Sequence, residues 1–227
     1  MQISTETMNV LKNFTQINPS ILIQKGNVLR TIDFEKTITS SASIVEEFPK
    51  DFAIYDLPTF LSVIQMFDGA SIDFGDEDTN LCTINYPTVG QKIRYLYASP
   101  EAVEQVKKDI VMPQTEINFL LSKANLVAIK KAATTMDLPH VVVTPDGDGA
   151  VILTATSVDN PSSNTFEIRI EAEVTIEDFF VVFDFQKFNN LLENDYNVGI
   201  STKEISHFFN DKIQYWVALN ANSNFEG

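Results

Sequence analysis

The sequence predicts an α+β chain made of two copies of one domain, each carrying two helices packed on antiparallel strands. Three observations predict this. A strand-Asp-helix phrase occurs twice, as FAIYDLPTFLSVI from Phe52 to Ile64 and as FVVFDFQKFNNLL from Phe180 to Leu192. Two further phrases echo in the same order: STETMNVLKNF from Ser4 with SKANLVAIKKA from Ser122, and QKIRYLYA from Gln91 with DKIQYWVA from Asp211. Between them lie short alternating runs bounded by Gly, Asn, Asp and Pro, the pattern of strands joined by tight turns. The offset between paired phrases drifts between 118 and 128 residues. Such drift follows when loops differ in length around a fixed order of elements.

The first helix spans about Thr5–Ile17. Ser4 is its N-cap. Met8, Leu11, Phe14 and Ile17 make an apolar face, and Asn9, Lys12, Asn13 and Gln16 a polar stripe opposite it. The strand run VLRTIDF follows. Ala53, Ile54 and Tyr55 then read as a strand, and Asp56 caps a second helix over 57–67. Leu57, Phe60, Leu61 and Ile64 face inward there, with Thr59, Ser62 and Gln65 outward. The runs ASIDF, NLCTIN and QKIRYLYA complete the first copy. The stretch ASPEAVEQVKKDIVMPQT, with its two prolines, fits neither copy and reads as a connector. The expected division is residues 1–98, connector 99–114, and second copy 115–227.

In the second copy Ser122 caps a helix over Lys123–Met136. Leu126, Ile129, Ala133 and Met136 lie opposite Lys123, Lys130 and Lys131. HVVVTP, AVILTAT and TFEIRIEAEV alternate as strands, and PDGDG at 145–149 reads as a hairpin turn. Val181, Val182 and Phe183 form the strand before Asp184, the expected N-cap of a last helix over 186–193. Phe185, Phe188 and Leu192 face inward from that segment, and Lys187 and Asn190 outward.

Chemistry-bearing motifs are few. There is no G-x-S-x-G, no P-loop and no dinucleotide glycine pattern. His140 and His207 stand far apart, without Cys or carboxylate at ligand spacing. GDEDTN at 75–80 alternates like a calcium loop, but Leu81 stands where glycine is needed and no Glu closes the loop. Glu171 and Glu173 share one strand face, but Glu46–Glu47 and Glu177–Asp178 are equally plausible acid pairs, so nothing singles them out. No catalytic centre, metal or cofactor is therefore expected. No run of about 18 apolar residues suggests a membrane span, and the first residues lack the basic and apolar regions of a secretory signal. The single Cys82 cannot form an internal disulfide and suits a reducing compartment.

The formal net charge is −15. Spread evenly, it would repel nucleic acid. It is not spread evenly. The four expected helices hold five lysines (Lys12, Lys123, Lys130, Lys131, Lys187) and two acids (Glu6, Glu193), a net +3 that leaves −18 for the rest. Lysine meets phosphate as a point charge. Arginine, the usual reader of guanine, is missing from all four helices, which points to contact without base reading.

TMNVLKNFTQINPSILIQKGN from Thr7 to Asn27 and FAIYDLPTFLSVIQMF from Phe52 to Phe67 resemble the DNA polymerase sliding clamps of T-even-type bacteriophages. The duplicated order of elements is similar to the wider clamp architecture. The resemblance implies two DNA-clamp domains per chain and a six-domain ring closed as a homotrimer. Helices would line the hole and sheets would form the outer wall. It also implies a role in replication. Double-stranded DNA threads the ring without sequence specificity, an ATP-dependent clamp loader opens it, and the clamp tethers the replicative DNA polymerase for processive synthesis. The clamp itself is not an enzyme.

A second role as mobile activator of late transcription would add late-transcription factors and host RNA polymerase as partners. The location implied is the cytoplasm of the infected bacterial host, with no membrane contact and no cofactor. The DNA-binding residues would be Lys12, Lys123, Lys130, Lys131 and Lys187, with Asn9, Asn13 and Gln16. Partner peptides would dock near the connector and the last long strand, where Val111, Met112 and Pro113 stand beside Tyr215, Val217 and Leu219. The competing reading is a structural or assembly ring protein of a phage particle, built from duplicated β-rich domains. Such a protein has no need of basic, acid-poor helices.

Overall fold

The hydroxyl of Ser4 accepts the amide of Thr7 at 3.2 Å and opens α1 (Thr5–Ile17), which buries Met8, Leu11, Phe14 and Ile17. This is seen in the computed structural model, which describes residues 1–147 and 149–226. The chain divides into two units, Met1–Lys108 and Asp109–Gly227.

In the first unit α1 is followed by β1 (Ile21–Ile23), β2 (Gly26–Ile32), β3 (Ile38–Phe48) and β4 (Phe52–Ile54). The helix α2 (Leu57–Ile64), β5 (Ser71–Asp73), β6 (Leu81–Tyr86) and β7 (Gln91–Leu96) complete it. β2 and β3 form an antiparallel hairpin whose turn is built by Asp33. The Asp33 carboxylate accepts the amides of Thr37 and Ile38 at 2.7 and 3.0 Å, so Lys36 can take the left-handed conformation (φ 60°) that the turn needs. β1 pairs with β4, and β5, β6 and β7 make a three-stranded sheet. Phe48, Phe52 and Phe74 meet with ring centroids 5.1–5.6 Å apart in the core. Such aromatic packing contributes about 1 kcal/mol per pair beyond burial.

The second unit begins at Asp109, after one short 3-10 turn, Pro100–Ala102, in the first. Its first elements are β8 (Ile117–Leu121), α3 (Lys123–Met136), β9 (His140–Pro145), β10 (Ala150–Thr156) and β11 (Phe166–Val174). β12 (Asp178–Asp184), α4 (Phe185–Asn189), β13 (Tyr196–Ser201), β14 (Ile205–Phe209), β15 (Ile213–Ala218) and β16 (Asn224–Glu226) follow. Its strands run antiparallel in the order β16-β12-β9-β10-β11-β8-β13-β14-β15. The hairpin expected at 145–149 joins β9 to β10; Asp148 within it lies outside the described residues. As in the first unit, a serine opens the long helix: Ser122 accepts the Asn125 amide at 3.2 Å.

The duplication extends to single hydrogen bonds. The Leu57 amide donates to the carbonyl of Pro19 at 2.8 Å, and the Phe185 amide donates to the carbonyl of Pro139 at 2.8 Å. In both units this bond ties the first turn of the shorter helix to the end of the longer one's exit loop.

Three expectations need correction. First, α2 ends at Ile64, not at residue 67. Its last turn closes through Gln65 and Met66 onto Leu61 and Val63, and the Tyr86 hydroxyl takes the Val63 carbonyl. Second, Asp56 caps α2 as expected, accepting the Thr59 amide at 2.9 Å, but the Asp184 side chain makes no cap bond to α4. Asp184 instead pairs with the Lys187 ammonium at 3.1 Å and accepts from the Asn220 amide group. Third, α4 stops at Asn189. Asn190 and Leu191 close back onto Lys187 and Phe188, and two tyrosines then draw the chain away. Tyr215 accepts the Leu192 amide at 3.2 Å, and Tyr196 donates to the Leu192 carbonyl at 2.6 Å. Leu191, 1% exposed, therefore fills the core where Leu192 was expected, and Glu193 lies outside the helix.

Candidate nucleic-acid interface

The outward stripe of α1 carries Asn9, Lys12 and Gln16, all exposed, with Asn13 half-buried beside them. Lys12 ends in an ammonium group with no ion pair among the described residues. On α3 the same holds for Lys123 and Lys131, both exposed. α2 presents no cation. Its hydroxyls are turned home: Thr59 donates to Asp56 at 2.7 Å and Ser62 to the Pro58 carbonyl at 2.9 Å.

The other two lysines have local duties. Lys187 is held by Asp184. The Lys130 ammonium donates to the carbonyl of Asn189 at 2.8 Å and to that of Leu191. These are carbonyls left open where α4 stops, and a cation there also meets the negative end of the helix. Burial pulls the Lys130 pKa down to about 8, with the nearby Glu193 carboxylate acting in the opposite direction. Lys12 and Lys130 coincide in the repeat, but the structure gives them different tasks.

With the observed helix ends, the helices hold five lysines and one acid, Glu6, for a net +4 that leaves −19 elsewhere. The acids gather on strands and turns. Glu167, Glu171 and Glu173 are exposed along one face of β11. Glu46 of β3 is used differently: it accepts the Ser4 amide and the Thr7 hydroxyl at the start of α1. Burial raises its pKa, but these hydrogen bonds outweigh burial and hold it below the usual carboxylate value. Sequence spacing gave no sign of this cap, because it joins residues 42 apart.

The loop at 75–80 is organised by a lysine. Lys50, only 4% exposed, donates to the carbonyls of Asp76 and Thr79 at 2.6 and 2.7 Å and lies over the Tyr97 ring. An ammonium group thus gathers the carbonyls of a loop that alternates like a calcium site. Among the described residues no cluster of three or more His, Cys, Asp or Glu could hold a metal.

The residues expected to receive partner peptides separate into two kinds. Val111 is 88% exposed, and Met112, Pro113 and Leu219 are half-buried. Tyr215 and Val217 are 0% and 1% exposed and face the core of the second unit, so their side chains offer no docking surface. The reason is strand parity: β15 alternates from buried Ile213, which places Tyr215 and Val217 inside and Gln214, Trp216 and Ala218 outside. Trp216 stacks on His207 at 4.9 Å, and His207 on Phe209 at 4.6 Å. Counting alternation from Ile213 in the sequence would have found this outer aromatic row.

Residues 4–103 match the family model described as DNA polymerase processivity factor. The chain is 34% identical over 227 residues to the sliding clamp of Vibrio phage KVP40, spanning 97% of this chain and 100% of that protein. It is 23% identical to the sliding clamp of Escherichia phage RB69, over 98% of each. The proliferating cellular nuclear antigen of Entamoeba histolytica shares the fold, with a TM-score of 0.68 over 94% of both chains at 13% identity. Two copies of an α+β clamp domain, basic helices and full-length similarity to phage clamps lead to one conclusion: the chain belongs to the sliding clamps of T-even-type phages, DNA polymerase processivity factors that act as scaffolds and not as enzymes.

Proposed function

We propose that three copies of this chain close into a ring of six domains around duplex DNA, and that the ring slides while tethering the replicative DNA polymerase. The domains would be 1–98 and 115–227, joined by the connector 99–114. The observation that carries this reading is the segregation of charge, +4 on the helices against −19 elsewhere. Basic helices toward the bore attract phosphates, and an acidic exterior keeps DNA off the wrong face. Lys12, Lys123 and Lys131 are the direct phosphate contacts, assisted by Asn9, Asn13 and Gln16. Lys130 and Lys187, engaged locally, contribute through their field. Few point-charge contacts leave the energy nearly level along the duplex, and a ring holds DNA by topology, so weak contacts suffice.

An ATP-dependent loader opens the ring in this reading, and the protein acts inside the infected bacterial cell. Partner peptides from the polymerase dock around Val111, Met112, Pro113 and Leu219. The late-transcription factors and host RNA polymerase use the same ring as a mobile activator. The test is topological. The protein is loaded with its loader and ATP onto closed circular DNA, and the circle is then cut once. Retention on the circle and loss after cutting is the expected result. Retention that survives cutting overturns the reading.

A further inference from the structure

The outer edge of β12 is covered by the chain's own end. β16 pairs with it over three residues only, Asp178↔Glu226, Phe179↔Phe225 and Phe180↔Asn224. Toward Asp184 the covering segment leaves the ladder and turns. There the Val182 amide donates to the Ser223 hydroxyl at 2.9 Å, and the Val182 carbonyl accepts the Asn220 amide at 2.8 Å. The Asn220 side chain donates to the Asp184 carboxylate. A turn and two polar side chains thus stand where a strand would run. A full strand would pair along all of Asp178–Asp184.

This cover is lightly held, because none of residues 219–225 is buried. The edge beneath it reads DFFVVFD, a run of strong strand formers. Such an edge is a template for pairing once uncovered. Beside the cover lies a groove of about 420 Å³, lined by Thr156, Asp159, Thr165, Asn222 and the 39% exposed Phe180. Phe180 stands directly opposite Asn224 in the ladder, an aromatic ring against an amide where an apolar pair would stabilise more. The surroundings are acidic. Asp159, Glu177 and Asp178 are exposed, and residues 156–165, 170–186 and 213–227 contain no lysine or arginine.

We infer that residues 219–226 form a displaceable strap, and that the outer edge of β12 with its groove docks an extended, basic segment of a partner protein, which sets an apolar residue against Phe180 in place of Asn224. This is strand addition: main-chain bonds along β12 supply affinity, and the groove and the acids supply selectivity. The strap is a built-in competitor. It lowers the partner's apparent affinity by the fraction of time the edge is open. The surface belongs to the second unit alone and stands apart from the ring reading.

The experiment uses two labelled peptides and fluorescence anisotropy. One peptide is residues 219–226 as they stand, and the other carries Asn224→Leu and Glu226→Lys. The proteins are the full chain as wild type, as Asn220→Ala/Ser223→Ala, and as that variant with Phe180→Ser added. Circular dichroism verifies that each is folded. The loosened variant should bind the altered peptide at least about tenfold more tightly than wild type does. It should prefer the altered peptide to the native one by at least about threefold, and Phe180→Ser should remove that preference. Equal affinity in wild type and loosened variant, or no binding to either, overturns the inference. Self-association of the loosened variant in place of peptide binding assigns the edge to a second copy and overturns the partner. Hydrogen exchange on wild type tests the strap without any substitution. By strand alternation the Phe180 and Val182 amides point to the strap, and those of Val181 and Phe183 point to β9. The first pair should exchange at least about tenfold faster than the second. Equal protection of the two pairs means a strap that does not open, and that result also overturns the inference.

Discussion

The Lys130 ammonium meets the Asn189 carbonyl at 2.8 Å and joins the long helix of the second unit to the end of its short one. Lys130→Met keeps the apolar stem but leaves that carbonyl and the Leu191 carbonyl open. The expected cost is about 1 kcal/mol at neutral pH, read by urea unfolding, with faster amide exchange at 190–193. The pH dependence has a definite sign. The folded pKa of about 8 lies below the ordinary 10.5, so between those values the unfolded chain binds more protons. Wild type should therefore gain stability relative to Lys130→Met as pH rises through that window. A flat difference there would contradict the burial of this ammonium.

Lys12 and Lys131 are open to solvent and should behave differently from Lys130. Lys12→Glu with Lys131→Glu should leave unfolding within about 0.5 kcal/mol of wild type. It should lower polymerase stimulation and reduce the salt slope of DNA association by roughly one per lost phosphate contact. Wild-type stimulation across a salt titration would remove these lysines from the interface.

Glu46 is a cap for α1 supplied from a strand. Glu46→Gln should cost about 1 kcal/mol at pH 7, the usual scale for a lost cap, reduced by solvent screening at this partly exposed site. Hydrogen bonding holds the folded pKa below the ordinary value of 4.5. The carboxylate's contribution is then complete above about pH 4.5 and fades as pH falls through the folded pKa. Unfolding of both proteins at pH 7 and near pH 3 should show the gap shrinking with acid.

Val111 and Tyr215 test the proposed docking surface from opposite sides. Val111→Asp, on an exposed side chain, should weaken binding of a polymerase-derived peptide by at least about tenfold in titration calorimetry without shifting the melting temperature. Tyr215→Phe removes the acceptor for the Leu192 amide and should cost about 1 kcal/mol of stability with no change in peptide affinity.

Local periodicity made much of the fold legible. The Asp56 cap of α2, the capping serines and the apolar faces of α1 and α2 are set by neighbours three or four residues away, and they stand where their spacing puts them. Strand alternation held the same information for β15, where Tyr215 and Val217 belong to the core. What the tertiary structure alone decided are relations between distant residues. Glu46 caps a helix 42 residues away, Lys50 gathers a loop, Tyr196 and Tyr215 shorten α4, and Lys130 is drawn from the lysine stripe to its carbonyls. The physical reason is one of range. Propensity and periodicity act within a turn or a pleat, whereas an unsatisfied carbonyl or a buried charge takes whichever partner the packed chain brings within about 3 Å.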